Sequence, residues 1–320
     1  MKNKWIVALL TLSSLLLSFA FREGHAESNV AALPASVQQS AQKTIDAPQR
    51  GTLFRVRHQG STAYLFGTIH FGQPSFYPLE SEVTNAFARA HTLVVEFDIR
   101  NTAPLLAATQ KYALYANGDS IQQHISAENL QRLKQALQGF GIPFENVAQM
   151  KPWMISNLLI AITLERNGFQ SNIGIDAFLL GQATVQRKAV RELESADYQM
   201  SLFEAMSEKE QENYLAENLA DLSDGKLLEK TRALVDAWSS ADDAAFAKIT
   251  REELDEQTTS AAFMQRVMLD KRNPEMAEKI EALLKRDGTT FVGVGMLHLF
   301  GDKGIPELLR QRGYAVEKLY

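Results

Sequence analysis

Six short stretches of the chain are continuous apolar runs or alternate apolar and polar residues with a period of two: residues 52–57, 62–66, 92–97, 188–193, 289–294 and 314–319. Each is rich in Val, Leu, Phe or Tyr, and most are bounded by Gly, Ser or a charge, which is the pattern of a short strand. The first two are joined by His58-Gln59-Gly60-Ser61, which suits a hairpin loop. Elsewhere apolar residues recur at helical spacing. Ser126 opens a run through Leu130, Leu133 and Leu137 that Gly139 ends. Pro152 starts a helix through Leu164, and Asn273-Pro274 starts another that reaches about Lys285, because proline is preorganised for a first helical turn. From about 195 to 286 no strand is predicted. The order of elements predicts a mixed α/β protein, with one central sheet drawing strands from both ends of the chain and a large helical insertion.

The N-terminus follows another logic. Lys2 and Lys4 precede a charge-free stretch over residues 5–21, and small residues follow at Gly24-His25-Ala26. That layout predicts a secretory signal peptide over residues 1–26, with Ser18-Phe19-Ala20 as a second cleavage point. An uncleaved anchor is the alternative, since the apolar stretch is near the lower limit for spanning a bilayer. Residues 27–50, rich in Ala, Ser and Gln, read as a flexible leader, and 51–320 as a single domain. No later stretch is apolar enough for a stable membrane anchor, so a secreted or periplasmic protein is expected.

Composition narrows the chemistry. The 320 residues include no cysteine, which excludes disulfides, thiolate catalysis and cysteine-held metals. The 33 basic against 38 acidic residues give no support for a nucleic-acid partner.

Two of the six histidines share a repeated pattern. The copies are Tyr64-Leu65-Phe66-Gly67-Thr68-Ile69-His70-Phe71 and Val292-Gly293-Val294-Gly295-Met296-Leu297-His298-Leu299. Each is a predicted strand followed by Gly-x-x-His, an apolar residue and soon a further glycine, Gly72 or Gly301. Glycine permits positive φ and close backbone approach where a strand must stop. The histidine then falls just past the strand's C-terminal edge, where open α/β sheets bind ligands. A single Gly-x-x-His reads equally well as a hydrogen-bonded structural histidine, but two at matched strand ends suggest a shared site. In apolar surroundings each imidazole needs a partner, either a metal or a carboxylate.

Candidate carboxylates sit at other strand ends. Glu96 closes an apolar strand, and Glu194 follows the next one, with Glu192 two residues before it. His70, His298, Glu96 and Glu194 would make an N2O2 set suited to Mn, Co, Fe or Zn, with a bound water activated there. A carboxylate left off the metal would be the general base. Plainer readings stand beside these. Glu96 also reads as a solvated charge or salt bridge, and Asp176 as a first-turn acid complementing a helix dipole. Arg272-Asn273 reads as a surface helix start, although a guanidinium there suits a carboxylate or an oxyanion. Lys151-Pro152-Trp153 reads as packing, and Glu252, Glu253, Asp255 and Glu256 as a solvated face. His58, His91 and His124 read as surface residues.

The segments YLFGTIHFG, LVVEFD, MKPWM, GIDAFLL, LES, DKRNPEM and GVGMLHLFGDKGIPELLRQRGYAVEKL occur in this order. Together, from about residue 53 to 320, they resemble the TraB/PrgY/GumN family, in particular its exported GumN-like branch. That family is related to the Tiki metalloproteases and more distantly to erythromycin esterases and ChaN-like haem-binding proteins. The resemblance implies a sheet-centred fold with both Gly-x-x-His motifs at one site and, from the Tiki branch, metal-dependent peptide cleavage. The matched positions are His70, Glu96, Glu194, Arg272, Asn273 and His298. One departure is Leu193-Glu194-Ser195, where the family usually has threonine third.

The expectation is an exported metal-dependent hydrolase, peptidase-like, acting on a peptide or small-molecule substrate. His70, His298 and Glu96 would hold a divalent ion (Mn, Co or Zn), with Glu96 as ligand or base. Glu194 would be a second acid, and Arg272, beside Asn273, would stabilise an oxyanion or bind a substrate carboxylate. Two alternatives are a non-catalytic protein that sequesters a peptide or small ligand, as the pheromone-inhibitor branch suggests, and a metal-independent acid–base esterase or hydrolase.

Overall fold

The computed structural model describes residues 47–286 and 288–320. The expected signal peptide and most of the expected leader lie outside them. Six strands form one sheet: β1 (Leu53–His58), β2 (Ser61–Thr68), β3 (Thr92–Val95), β4 (Ala189–Glu192), β5 (Thr289–Gly295) and β6 (Ala315–Lys318), in the order β4-β3-β5-β2-β1-β6. Each falls on a predicted stretch. His58 pairs with Ser61 across the Gln59-Gly60 turn, whose residues both have positive φ, 44° and 93°, as a twist-matched hairpin requires. Strands β2, β5, β3 and β4 run parallel, and β1 is antiparallel to both its neighbours. The protein is therefore mixed α/β, and a strand from the far end of the chain, β5, lies between β2 and β3.

Five helices precede β4: α1 (Ser81–Arg89), α2 (Thr102–Tyr112), α3 (Ala127–Phe140), α4 (Pro152–Arg166) and α5 (Ile175–Val185). Between β4 and β5 come α6 (Ala196–Ser201), α7 (Glu208–Ser223), α8 (Lys226–Ser239), α9 (Asp243–Leu254), α10 (Thr259–Phe263) and α11 (Arg272–Leu284), and α12 (Ile305–Gln311) precedes β6. Helix α3 starts as predicted, with the Ser126 side chain accepting from the Asn129 N–H, but runs past Gly139 to a left-handed cap at Gly141. Among the described residues no helix is long and apolar enough to cross a membrane.

Side chains alternate across the sheet. Tyr64 and Phe66 of β2 face a large helical layer, while Ala63 and Leu65 face Met276, Ile280 and Leu284 of α11 and Leu309 of α12. Helix α4 is apolar all round and buried on nearly every face, as a central helix must be. It packs against α7, so the helical layer joins segments from both sides of β4. Trp238 of α8 pins that layer to the sheet: its indole N–H donates to the Gly67 carbonyl at 2.9 Å, and its own carbonyl accepts from Gly51 N–H at 2.6 Å.

One helix begins differently from the prediction. Asn273-Pro274 does lie in the first α-helical turn of α11, but Met264–Lys271 is already π-helical and leads into it without a break. Pro274 therefore removes one N–H donor inside a continuous helix, just past its π-helical stretch.

A candidate active site at the C-terminal edge of the sheet

The register of β2 and β5 brings the two Gly-x-x-His turns together. The strands are parallel neighbours, with Gly67 opposite Val294 and Thr68 opposite Gly295. Both turns therefore leave the same edge side by side. On the other flank of β5, β3 ends at Val95 and presents Glu96, and the Glu194 N–H donates to the Glu96 carbonyl at 2.7 Å. Four strand ends thus converge.

The glycines of the two copies serve different ends: Gly301 adopts positive φ, 79°, whereas Gly67 and Gly72 are needed for space. Of the two uses of glycine, Gly67 shows close approach without positive φ, and Gly295 has φ −50°. A Cβ at Gly67 would lie 3.0 Å from the Met296 side chain. The demand is stronger where the turn after His70 meets the start of α5. A Cβ on Gly174 would overlap the His70 carbonyl, and one on Gly72 the Ile173 carbonyl. Backbone bonds lace this contact, including Ile175 N–H to the Ile69 carbonyl at 2.9 Å.

That close approach delivers Asp176 to His70. The Nδ1 of His70 lies 2.7 Å from Asp176 Oδ2, and the Thr68 hydroxyl donates to Asp176 Oδ1 at 2.7 Å. A carboxylate only accepts, so Nδ1 carries a proton, and in the neutral ring the lone pair is on Nε2. Asp176 is thus a partner of His70, and its plainer reading as a dipole acid misses this role.

His298 is arranged in parallel but with a neutral partner. Its Nδ1 lies 2.6 Å from Asn273 Oδ1, and Asn273 Nδ2 donates to the Lys303 carbonyl at 2.9 Å, which turns the amide oxygen to the ring. Nε2 therefore carries the lone pair, 3.7 Å from Glu96 Oε1, beyond hydrogen-bond reach. Burial, reinforced by the Arg272 charge, pushes the His298 pKa down to about 3, so the ring is neutral at physiological pH.

Glu96 and Glu194 share a cation. Arg272 is 1% exposed, and its Nη2 lies 2.5 Å from Glu96 Oε2 and 2.7 Å from Glu194 Oε2, with Nε 3.0 Å from Glu194 Oε1. Of the two readings of Arg272, the surface helix start fails: the guanidinium does clamp carboxylates, but they are two buried ones of the protein itself. Gln199 Nε2 donates to both acids, at 3.0 and 2.8 Å, and Gly295 N–H donates to Glu96 Oε1 at 2.8 Å. Burial alone would raise the Glu96 pKa. The Arg272 charge, helped by the Gly295 N–H, outweighs it and holds the carboxyl well below the usual range. Burial likewise opposes the Arg272 charge, but the two glutamates raise its pKa above the ordinary value. Thr68 and Gly295 are register partners, and Gly295 N–H bonds Glu96, so the two histidine turns and Glu96 share one sheet edge.

Other singled-out residues fall elsewhere. Glu192 is exposed and accepts the Asp98 N–H at 2.6 Å. Ser195, the departure from threonine, still caps α6 by accepting the Tyr198 N–H at 3.1 Å, and this sets Gln199 one turn on, beside Glu194. Trp153 is buried and stacked on Phe203. His91 is exposed, but His58 and His124 are half-buried, His124 between Asp119 and Glu208. Glu253 is not a solvated charge, because it pairs with Lys230 at 3.0 Å.

The donor chemistry suits a divalent cation in one respect. Both imidazoles have Nδ1 tied to a side-chain oxygen, the outer support that metal-binding histidines use, and the nearby Glu96 is anionic. The donors do not form a finished cage: among the described residues no group of three or more His, Asp or Glu stands close enough to hold an ion as arranged.

Fold and site together define a class: a mixed α/β protein whose two Gly-x-x-His turns meet an Arg-bridged pair of glutamates at one sheet edge. The chain belongs to the TraB/PrgY/gumN family, whose family model matches residues 52–318. It is similar to the uncharacterized protein YbaP of Escherichia coli (strain K12), 27% identical over 252 residues, covering 77% of this chain and 87% of that protein. It is similar also to the uncharacterized protein YbaP of Shigella flexneri, 26% identical over 253 residues, 78% of this chain and 88% of that protein. No solved structure matches it significantly.

Proposed function

We propose that the protein is an exported hydrolase, acting on peptides, that activates water between His70, Glu96 and His298 with a divalent cation, Mn, Co or Zn. One observation carries this reading: two imidazoles whose Nδ1 atoms are tied to side-chain oxygens share a region with a buried, ionised Glu96. The peptide class rests on the resemblance to the Tiki branch, and export on the N-terminal pattern.

His70, His298 and Glu96 would hold the ion, which would supply a Lewis acid that lowers the pKa of water. Glu96 has one oxygen committed to Arg272 and Gln199; the other, Oε1, faces His298. Oε1 serves as ligand or as base, not both at once: left off the ion, it would take the proton of the attacking water as the oxygen adds to the scissile carbonyl, and return that proton to the leaving amine as the C–N bond breaks. His298 remains neutral throughout and offers a lone pair. Arg272 and Glu194 are too buried to meet substrate and act by fixing Glu96.

The test is a peptide-library cleavage assay on purified protein, with metal analysis. Cleavage with added Mn, Co or Zn, lost at least about 100-fold in Glu96→Gln, is expected. Absence of cleavage, together with a melting temperature that none of these ions raises, would refute the proposal, since an ion bound to the native state stabilises it. A metal-independent acid–base hydrolase is the second reading. It is favoured by Arg272, which already supplies positive charge to Glu96. Activity that survives a chelator would select it.

A further inference from the structure

The helical layer buries an acid that the candidate site does not use. Asp221 lies near the end of α7, 3% exposed, and its Oδ2 has no hydrogen-bond partner. Gly225, with φ +72°, turns the chain directly back into α8, and α9 packs next on α8. The charges that act on Asp221 come from this bundle: Lys226 and Lys230 of α8, Glu253 near the end of α9, and Glu256 just beyond it. Both lysines are committed to other acids. Lys230 is 3.0 Å from Glu253, the two side chains 9% and 11% exposed, and Lys226 is 3.2 Å from Asp224.

The remaining charges around α7 are engaged elsewhere. Glu217, one turn earlier, accepts from the Thr259 and Ser260 N–H groups of α10, which itself carries no charge. Arg132 of α3 donates to the Ala216 carbonyl, Glu165 of α4 accepts from Ser171, and Arg166 donates to the Phe140 carbonyl. An enclosed carboxyl with an unpartnered oxygen and no cation of its own favours its neutral form. Burial pushes its pKa up to about 8; Glu253 and Glu256 add to the rise, and the two lysines oppose it.

We propose that Asp221 is a proton-operated lock on the bundle of α7, α8 and α9: as a neutral acid it lets the helices close, and as a carboxylate it loosens them. The lock reaches the sheet, because α8 carries Trp238, whose indole caps the Gly67 carbonyl at the head of the first Gly-x-x-His turn. The unfolded chain gives up this proton near its ordinary value of 3.8, whereas the folded chain keeps it to about pH 8. Between those limits the folded state holds the extra proton. The stabilisation from this group is therefore largest at the acid end of the window, and it falls as pH rises, about tenfold in the folded-to-unfolded ratio per pH unit, until it levels off.

The experiment compares the wild-type chain with Asp221→Asn and Asp221→Leu, by denaturant unfolding from pH 5 to pH 9 and by amide exchange. The expected result is that each variant gains on the wild type by about tenfold per pH unit up to about pH 8, then by no more. Wild-type exchange over residues 208–254, corrected for base catalysis, should quicken over the same range. A variant-to-wild-type ratio that does not change with pH overturns the proposal. If neither variant folds, wild-type exchange that fails to quicken in α7, α8 and α9 overturns it equally.

Discussion

The two Gly-x-x-His turns are near-copies in sequence and opposites in electrostatics. His70 is backed by an anion, Asp176, which Thr68 braces; His298 is backed by a neutral amide, Asn273, which the Lys303 carbonyl braces. The bonds to the rings are equally short, 2.7 and 2.6 Å. An anion behind an imidazole stabilises positive charge on it, and an amide does not. Exposure diverges too: the His70 side chain is 13% exposed and that of His298 4%. The backing residues come from 106 positions downstream and 25 upstream respectively. The motif therefore decides where a ring sits, and a distant residue decides what the ring can do.

The largest expected effect attacks the His298 side of this contrast. Arg272→Met leaves Glu96 and Glu194 buried without their cation, and breaking a buried ion pair from one side costs about 3–5 kcal/mol. Urea unfolding measures it, and adding Glu194→Gln should recover part of the loss. A smaller effect comes from exchanging the backing groups. Asp176→Asn and Asn273→Asp should each cost roughly 10–100-fold in metal affinity or turnover, as loss of an outer partner of a metal ligand does. Asn273→Asp should also raise the His298 pKa from about 3, which NMR titration would detect. If both exchanges leave turnover and affinity unchanged, the difference between the arms has no chemical consequence.

Next in size is an acid-side effect. The unfolded His298 binds a proton near its ordinary 6.5, whereas the folded ring resists down to about 3. In that window the unfolded chain holds the extra proton, so stability is lost as pH falls below about 6.5, about tenfold per pH unit. Glu96, with its lowered pKa, adds loss in the same direction below about 4.5. His298→Gln should abolish the first part, seen as a variant-to-wild-type stability ratio that climbs from pH 6.5 to 5. Asp221 acts in the opposite sense over those pH values, so the loss should stand out most clearly in an Asp221→Asn background.

Much of this was legible in the sequence. Short runs rich in Val, Leu, Phe or Tyr marked all six strands, and the repeated Gly-x-x-His, with glutamates at two further strand ends, pointed to residues that the sheet gathers at one edge. Asp176 and Gln199 were not legible as partners. Their roles depend on tertiary approach: Gly174 packed on the His70 carbonyl, and α6 starting immediately after Glu194. Arg272 was legible as a site residue, but its partners were not, for a related reason. A charged residue at a helix start reads as surface unless one knows that two buried acids await it. Glu253 misleads in the same way, since a run of acids looks solvated until Lys230 is packed beside it.

The smallest effect tests how far the backing of His70 extends. Thr68 is fully buried, and its hydroxyl is the second group held by Asp176. Thr68→Val keeps the shape and strand preference and removes only the hydroxyl, so a stability loss of about 1 kcal/mol is expected. The informative signal is the imidazole nitrogen spectrum of His70. With Thr68 absent, Asp176 Oδ1 loses its donor and the carboxylate can swing about its remaining bond to the ring. A His70 signal disturbed as much as in Asp176→Asn would make brace and backing a single unit, matching the Lys303–Asn273–His298 chain on the other arm. An undisturbed signal would mean that the ring and the carboxylate hold each other, and that the arms differ in how they are supported as well as in charge.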